Sequence, residues 1–166
     1  MANTFELIAS TGAPSASVAS LSFTSIPSTF TDLVLVMSLR STSTNNYGSV
    51  LFNSSTTGYT RKILYGNGSS AFSTSPTGYE SLSINPSDAT GSVFANYQMY
   101  IPNYAGSNNK SFSVDAVGEN NGTTAQQIFH AGLWANSAAI TSLTITSGVG
   151  DIAQYSTAYL YGVKNA

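Results

Sequence analysis

Apolar side chains recur at every second position over much of this chain, the period that lines one face of an extended strand. In residues 110–119, KSFSVDAVGE, Phe112, Val114 and Ala116 fall on one side and Ser113, Asp115 and Glu119 on the other. Residues 92–101, SVFANYQMYI, set Val93, Ala95, Tyr97, Met99 and Ile101 against Phe94, Asn96, Gln98 and Tyr100. In 141–147, TSLTITS, Leu143 and Ile145 stand between hydroxyls, and 157–163, TAYLYGV, carries an apolar face of Tyr159, Tyr161 and Val163. Residues 32–40, DLVLVMSLR, begin as an unbroken apolar run, which predicts a strand covered on both faces in its first half. One segment competes with this pattern. In 123–139, TTAQQIFHAGLWANSAA, the residues Ile128, Phe129, Leu133 and Trp134 have partly helical spacing, but Gly132 interrupts it and the flanking β-formers favour a strand.

Between these runs lie clusters of Gly, Pro, Asn, Asp and Ser, residues whose dihedral freedom and short polar side chains suit turns. The clusters recur about every 8 to 14 residues, the spacing of an all-β sandwich or barrel. Residues 64–70, LYGNGSS, predict a hairpin tip, with Asn67 and Gly68 at the centre of a type I′ turn. No linker, charge run or repeat divides the chain. The expectation is a single domain over residues 1–166, all-β, built as an antiparallel two-sheet sandwich of ten or so short strands, jelly-roll-like.

Composition narrows the function classes. Charged residues are 7% of the 166, against roughly 25% in an average globular domain, and Ser and Thr fill the gap with more than a quarter of the chain. Low net charge (−2) with 42% apolar residues argues for an ordered protein. Five Lys and Arg, scattered along the chain, form no basic face, so no nucleic-acid partner is expected. Neither a signal-like leader nor a run of about 18 apolar residues occurs, so no membrane association and no Sec export is expected. There is no cysteine, hence no disulfide, thiol nucleophile or thiolate zinc site.

Candidate chemistry is sparse. LYGNGSS lacks the lysine of a phosphate loop, and YAGSNNKS (104–111) ends in Lys110 and Ser111 but lacks its glycine spacing. The single histidine, His130, sits between Phe129 and Ala131, a setting for a sheet histidine rather than a catalyst. No G-x-S-x-G elbow exposes a serine nucleophile. Asp115 and Glu119 share a strand face, but four residues at about 3.3 Å set them roughly 13 Å apart, beyond the 5 to 9.5 Å of a glycosidase pair. Residues 114–122, VDAVGENNG, cluster oxygen donors suited to calcium without matching an EF-hand, and Asn121-Gly122 reads as a turn. No enzyme activity, cofactor or metal is expected. Ten tyrosines and Trp134 nominate aromatic contacts for a glycan or a protein partner, with Tyr97, Tyr100, Tyr104 and Trp134 as the candidates.

Several stretches together, SFTSIPSTFTDLVLVMSLRST, LYGNGSS, IPNYAGSNNKSFSVDAVGENN, AGLWANSAAITSLTIT and the terminal YSTAYLYGVKNA, resemble a group of small β-rich virion proteins of tailed bacteriophages, common in marine and cyanobacterial phages. The resemblance runs from about Phe5 to Val163 and carries no catalytic motif. It implies a protein made in the bacterial cytoplasm and displayed on the phage particle, most simply as a capsid-surface decoration protein in multiple copies or as a homo-oligomer. Its partners would be the major capsid protein or other virion proteins. The alternative it implies is a tail-fibre or receptor-binding module that recognises host polysaccharide.

Overall fold

The computed structural model of the protein describes residues 4–45, 47–118 and 126–164. Among these residues there is no helix. The strands are β1 (Phe5–Ser10), β2 (Ser20–Phe23), β3 (Asp32–Leu39), β4 (Tyr47–Phe52), β5 (Tyr59–Gly66), β6 (Ala71–Thr74), β7 (Glu80–Ser83), β8 (Ala95–Pro102), β9 (Lys110–Gly118), β10 (Gln126–Trp134), β11 (Leu143–Ser147) and β12 (Thr157–Val163). They form an eight-stranded sheet in the order β1-β12-β3-β8-β9-β10-β5-β6 and a four-stranded sheet in the order β2-β11-β4-β7. Every pairing within both sheets is antiparallel. The fold is thus a two-sheet antiparallel sandwich in one domain, as the alternation predicts.

The core lies between the sheets and is filled chiefly by one parity of the strands inside the sheet edges. Leu33, Leu35, Met37 and Leu39 of β3 meet Tyr97, Met99 and Ile101 of β8 and Phe112 and Val114 of β9, all buried. The four-stranded sheet answers with Leu21, Phe23, Val50, Phe52, Leu143 and Ile145. At one end Phe52 makes edge contacts with Tyr59, Phe112 and Trp134, at ring-centroid separations of 5.7, 5.3 and 5.7 Å. Geometry of this kind contributes beyond area burial alone, by about 0.5–1.5 kcal/mol per aromatic pair.

Gly132, which breaks the helical spacing in the sequence, has a packing role in β10. It pairs with Phe112 of β9, and a Cβ added there would sit 2.1 Å from the Phe112 ring. Gly162 of β12 does the same beneath Phe30, where a Cβ would meet the ring at 2.2 Å. That crowding corrects the expectation for β12. Its buried side is Ala158, Leu160 and Gly162, and Tyr159, Tyr161 and Val163 point the other way. The inner side has room only for small residues next to Phe30, so the tyrosines are placed outside.

The LYGNGSS hairpin stands where the sequence puts it, joining β5 to β6, but the turn differs. Gly66 pairs with Ala71, so the loop is four residues long. Gly68 has φ +82° while Asn67 keeps a negative φ, which rules out a type I′ turn. Asn67 instead uses its side chain: Oδ1 accepts from the backbone N–H of Ser69 (3.1 Å) and Ser70 (2.9 Å). Side-chain capping of its own loop by Asn replaces the paired positive-φ geometry.

The sheets are unequal, and this positions everything that follows. Four strands face eight, and at the β6 edge Phe72 is exposed and stacked on Tyr65 at 5.0 Å. The entire outer face of the eight-stranded sheet has no covering layer among the described residues.

Candidate functional site

Three of the four aromatics nominated from the sequence are structural. Tyr97, Tyr104 and Trp134 are 2%, 0% and 1% exposed. Tyr97 lies on the inner parity of β8, and its hydroxyl donates to the Ser83 carbonyl of β7, bridging the two sheets. Tyr104 donates to the Pro27 carbonyl, and Trp134 closes the aromatic end of the core against Phe52 and Tyr59. None of the three reaches a partner, because period two sends Tyr97 and Trp134 inward and the 102–106 turn folds Tyr104 under the sheet edge. Burial raises the pKa of both the Tyr97 and Tyr104 phenols, as expected for acids that lose hydration on ionising. Tyr100 alone is on the outside, 39% exposed, with its hydroxyl 2.7 Å from Asp32 Oδ2.

The polar residues with suggestive sequence contexts are also absorbed by the fold. Lys110 is fully buried, and its Nζ donates to the carbonyls of Gly106 (2.7 Å) and Asn108, closing its own turn rather than cradling an anion. Desolvation holds its pKa below the ordinary lysine value. Arg40 spreads its guanidinium over four carbonyls of the 87–93 loop, those of Ser87 (3.1 Å), Ala89, Thr90 and Val93 (each 2.9 Å). Lys164 pairs with Glu6 at 2.7 Å. His130 is buried on the inner face of β10, in register with Val114 and Ile63. Asp115 is exposed on the outer face of β9, while Glu119 and the remaining residues of the calcium candidate, 119–122, lie outside the described residues. No group of three or more His, Cys, Asp or Glu is placed to hold a metal among the described residues.

What remains is a surface, the outer face of the eight-stranded sheet. Register aligns Leu7, Tyr161, Val34, Tyr100 and Ser113 across β1, β12, β3, β8 and β9. A second row runs Tyr159, Val36, Gln98, Asp115, Phe129 and Leu64 from β12 to β5. Leu7, Val36, Leu64, Tyr100, Phe129, Leu133 and Tyr159 are all at least 37% exposed. Val34 is the exception at 5%, with Tyr161 and Tyr100 as its flanking residues in register. The first half of β3 is therefore covered on both faces, as the sequence predicts, with cross-strand neighbours rather than a second layer beside Val34, while Val36 is exposed.

Toward the β5 end this face is concave. A shallow depression of about 690 Å³ is lined by Lys62, Leu64, Ser113, Asp115, Phe129 and Ala131. Lys62 is exposed, with its Nζ 2.8 Å from Ser75 Oγ. A smaller cleft of about 250 Å³ opens on the other side of the sheet, beside Tyr47, Arg61, Tyr65, Gln126 and His130.

Sequence reasoning passed over Phe129, Leu64 and Val36 because each reads as an ordinary strand residue. The available signal was the opposite parity: large apolar residues on both sides of β3, β10 and β12, in a chain where the second side is otherwise Ser, Thr, Asn and Gln. A scan against protein-family models and searches of the curated proteins and of the solved structures found no match to this chain.

Proposed function

We propose that this chain is a non-enzymatic structural protein that works through protein–protein contacts, and that it does so as a decoration protein on the capsid surface of a phage particle. The observation that carries the contact reading is the outer face of the eight-stranded sheet, where Leu7, Val36, Leu64, Tyr100, Phe129, Leu133 and Tyr159 stand exposed together. They form two apolar clusters, Leu7, Val36, Tyr100 and Tyr159 on one side of β9 and Leu64, Phe129 and Leu133 on the other, with Ser113 and Asp115 between them, and exposed apolar clusters mark an interaction site. Tyr, Phe and Leu in a nearly uncharged setting match the composition of interface cores, where charge is depleted and aromatic residues are enriched. The particle and the capsid come from the resemblance to phage virion proteins. Both point to the same mode of action, a rigid sandwich that presents a broad face and binds without desolvating many charges.

The glycan-binding alternative draws on less. Of its four candidate residues only Tyr100 is exposed, and the Tyr100 hydroxyl is already engaged by Asp32.

The experiment is gold-labelled antibody against the protein on intact phage particles in the electron microscope, with opened particles labelled in parallel. Label distributed over the head is the expected result. Label confined to the tail transfers the reading to a tail component, and absence from both intact and opened particles overturns the virion assignment.

A further inference from the structure

We propose that the outer face of the eight-stranded sheet pairs with the same face of a second copy of this chain, in a two-fold contact that sets Lys62 of each copy against Asp115 of the other, on either side of Phe129. This rests on the reading that the chain acts by contact through that face, and it names the partner.

The charges select the occupant. Of the five Lys and Arg residues, Arg40 and Lys110 are committed to backbone carbonyls inside the fold and Lys164 to Glu6. Arg61 is buried on the inner side of β5. Lys62 is the one cation on the outer face, tethered there only to a serine hydroxyl. Among the described residues two carboxylates share that face. Asp32 accepts from the Tyr100 hydroxyl and the Asn103 N–H, whereas Asp115 has no hydrogen bond or ion pair among the described residues. Among the described residues the face thus presents one available cation and one available anion, with apolar residues between them.

Their placement is self-complementary. Lys62 on β5 pairs with Ala131 of β10, and Asp115 on β9 pairs with Phe129 of β10. The two charges are therefore two strand spacings apart, about 9.6 Å, and offset by two residues along the strands. The line joining them crosses β10 between Phe129 and Ala131. A two-fold axis lying in the contact plane, through that midpoint and perpendicular to that line, brings Lys62 over the partner's Asp115 and Asp115 over the partner's Lys62. One operation satisfies both, as an isologous contact requires. Phe129 and Leu64, 46% and 53% exposed, then fill the depression between the two ion pairs. The axis lies on β10, two strands from the β6 edge, so the overlap is confined to the five strands from β8 to β6; at about 4.8 Å per strand and roughly seven residues each this is on the order of 550 Å² per partner, the size of a weak, reversible contact.

The test is sedimentation velocity across the micromolar range on the wild type, Phe129→Asp, Lys62→Glu, Asp115→Lys and the double variant K62E/D115K, with circular dichroism to show that each keeps the β fold. A wild-type dimer is expected, abolished by Phe129→Asp. Each single reversal should weaken it by about tenfold or more, because the symmetry places like charges at both contacts. The double reversal should restore it, which general damage to the fold would not do. A monomeric wild type overturns the pairing, as does a dimer indifferent to the single reversals. Binding of the same variants to phage particles separates the two levels: a monomer whose particle binding is lost in Phe129→Asp removes the pairing and keeps contact through this face. A dimer that binds no particle keeps the pairing and removes the capsid assignment.

Discussion

Leu35 and Val36 are neighbours on β3, and their side chains enter different environments. Leu35 is fully buried between the two sheets, while Val36 stands 37% exposed on the uncovered side. The same division runs across the central strands: Met99 against Gln98 and Tyr100, Val114 against Ser113 and Asp115, Leu160 against Tyr159 and Tyr161. On these central strands the inner face is apolar and closed by a second layer. The outer face mixes hydroxyls and amides with large apolar groups that nothing among the described residues covers. A sheet needs its inner face to fold, but folding alone does not call for Phe129 or Leu64 outside. Their presence separates what the sequence spends on stability from what it spends on contact.

The most direct way to break this comparison is to truncate the two neighbours. Leu35→Ala should destabilise the fold by about 2–5 kcal/mol, since it removes buried carbons and leaves a cavity in a packed core. Val36→Ala should change stability by about 0.5 kcal/mol or less, the usual range for surface positions. Urea titrations of both variants measure the difference. Equal losses would mean that the outer face is as closed as the inner one, and the division would fail.

Much of this was legible in the sequence. Alternation located the strands at 32–40, 92–101, 110–119, 141–147 and 157–163, and turn residues gave the hairpin at 64–70, because both signals are local and the fold obeys them. The inward side was read correctly in β8 and β9, where one parity is plainly more apolar. It was read wrongly in β12, where both parities are apolar and the choice belongs to Phe30, distant in the chain and packed on Gly162. The site residues failed for a related reason. Aromatic type says that a residue has a large apolar body and a polar tip, but not which way it faces, and Tyr97, Tyr104 and Trp134 all face in. Charges misled least. The sequence showed no basic face, and the fold accounts for this by spending Arg40 and Lys110 on internal carbonyls. What the sequence withheld was the inequality of the sheets, eight strands against four, a property of topology that no local pattern encodes.

The two tyrosines of β8 sharpen the comparison at a smaller scale. Tyr97 and Tyr100 are three residues apart, face opposite sides, and each donates one hydrogen bond, to the Ser83 carbonyl and to the Asp32 carboxylate. Tyr97→Phe should cost about 1–3 kcal/mol, because it leaves a carbonyl between the sheets without its donor where water does not readily replace it. Tyr100→Phe should cost about 0.5 kcal/mol or less, since water hydrates an exposed carboxylate that loses a neutral donor. Thermal unfolding of both variants decides it, and a Tyr100→Phe loss as large as that of Tyr97→Phe would show that the outer polar contacts hold the fold together.

The smallest effect is a titration. The Tyr100 phenol is held above the ordinary tyrosine pKa, first by its hydrogen bond to Asp32, then by partial desolvation and by the negative charge of that carboxylate. Ionisation would remove the donor and set a phenolate against a carboxylate 2.7 Å away. Because the folded value lies above the unfolded one, the stabilisation from this pair is complete below the ordinary tyrosine value of about 10 and is lost as the pH rises through the raised folded value. Phenolate absorbance, taken as the difference between wild type and Tyr100→Phe, should therefore show Tyr100 ionising later than a free tyrosine. Asp32→Asn should bring it back toward the ordinary value, since the amide removes the charge and weakens the acceptor. Tyr97 separates from it cleanly, since its phenol is raised by burial alone and Asp32→Asn should leave it unchanged. If Asp32→Asn left Tyr100 where it was, the outer contact would not be the cause of the shift. The distinction between a face that responds to its own exposed groups and one that responds only to burial would then be lost at this pair.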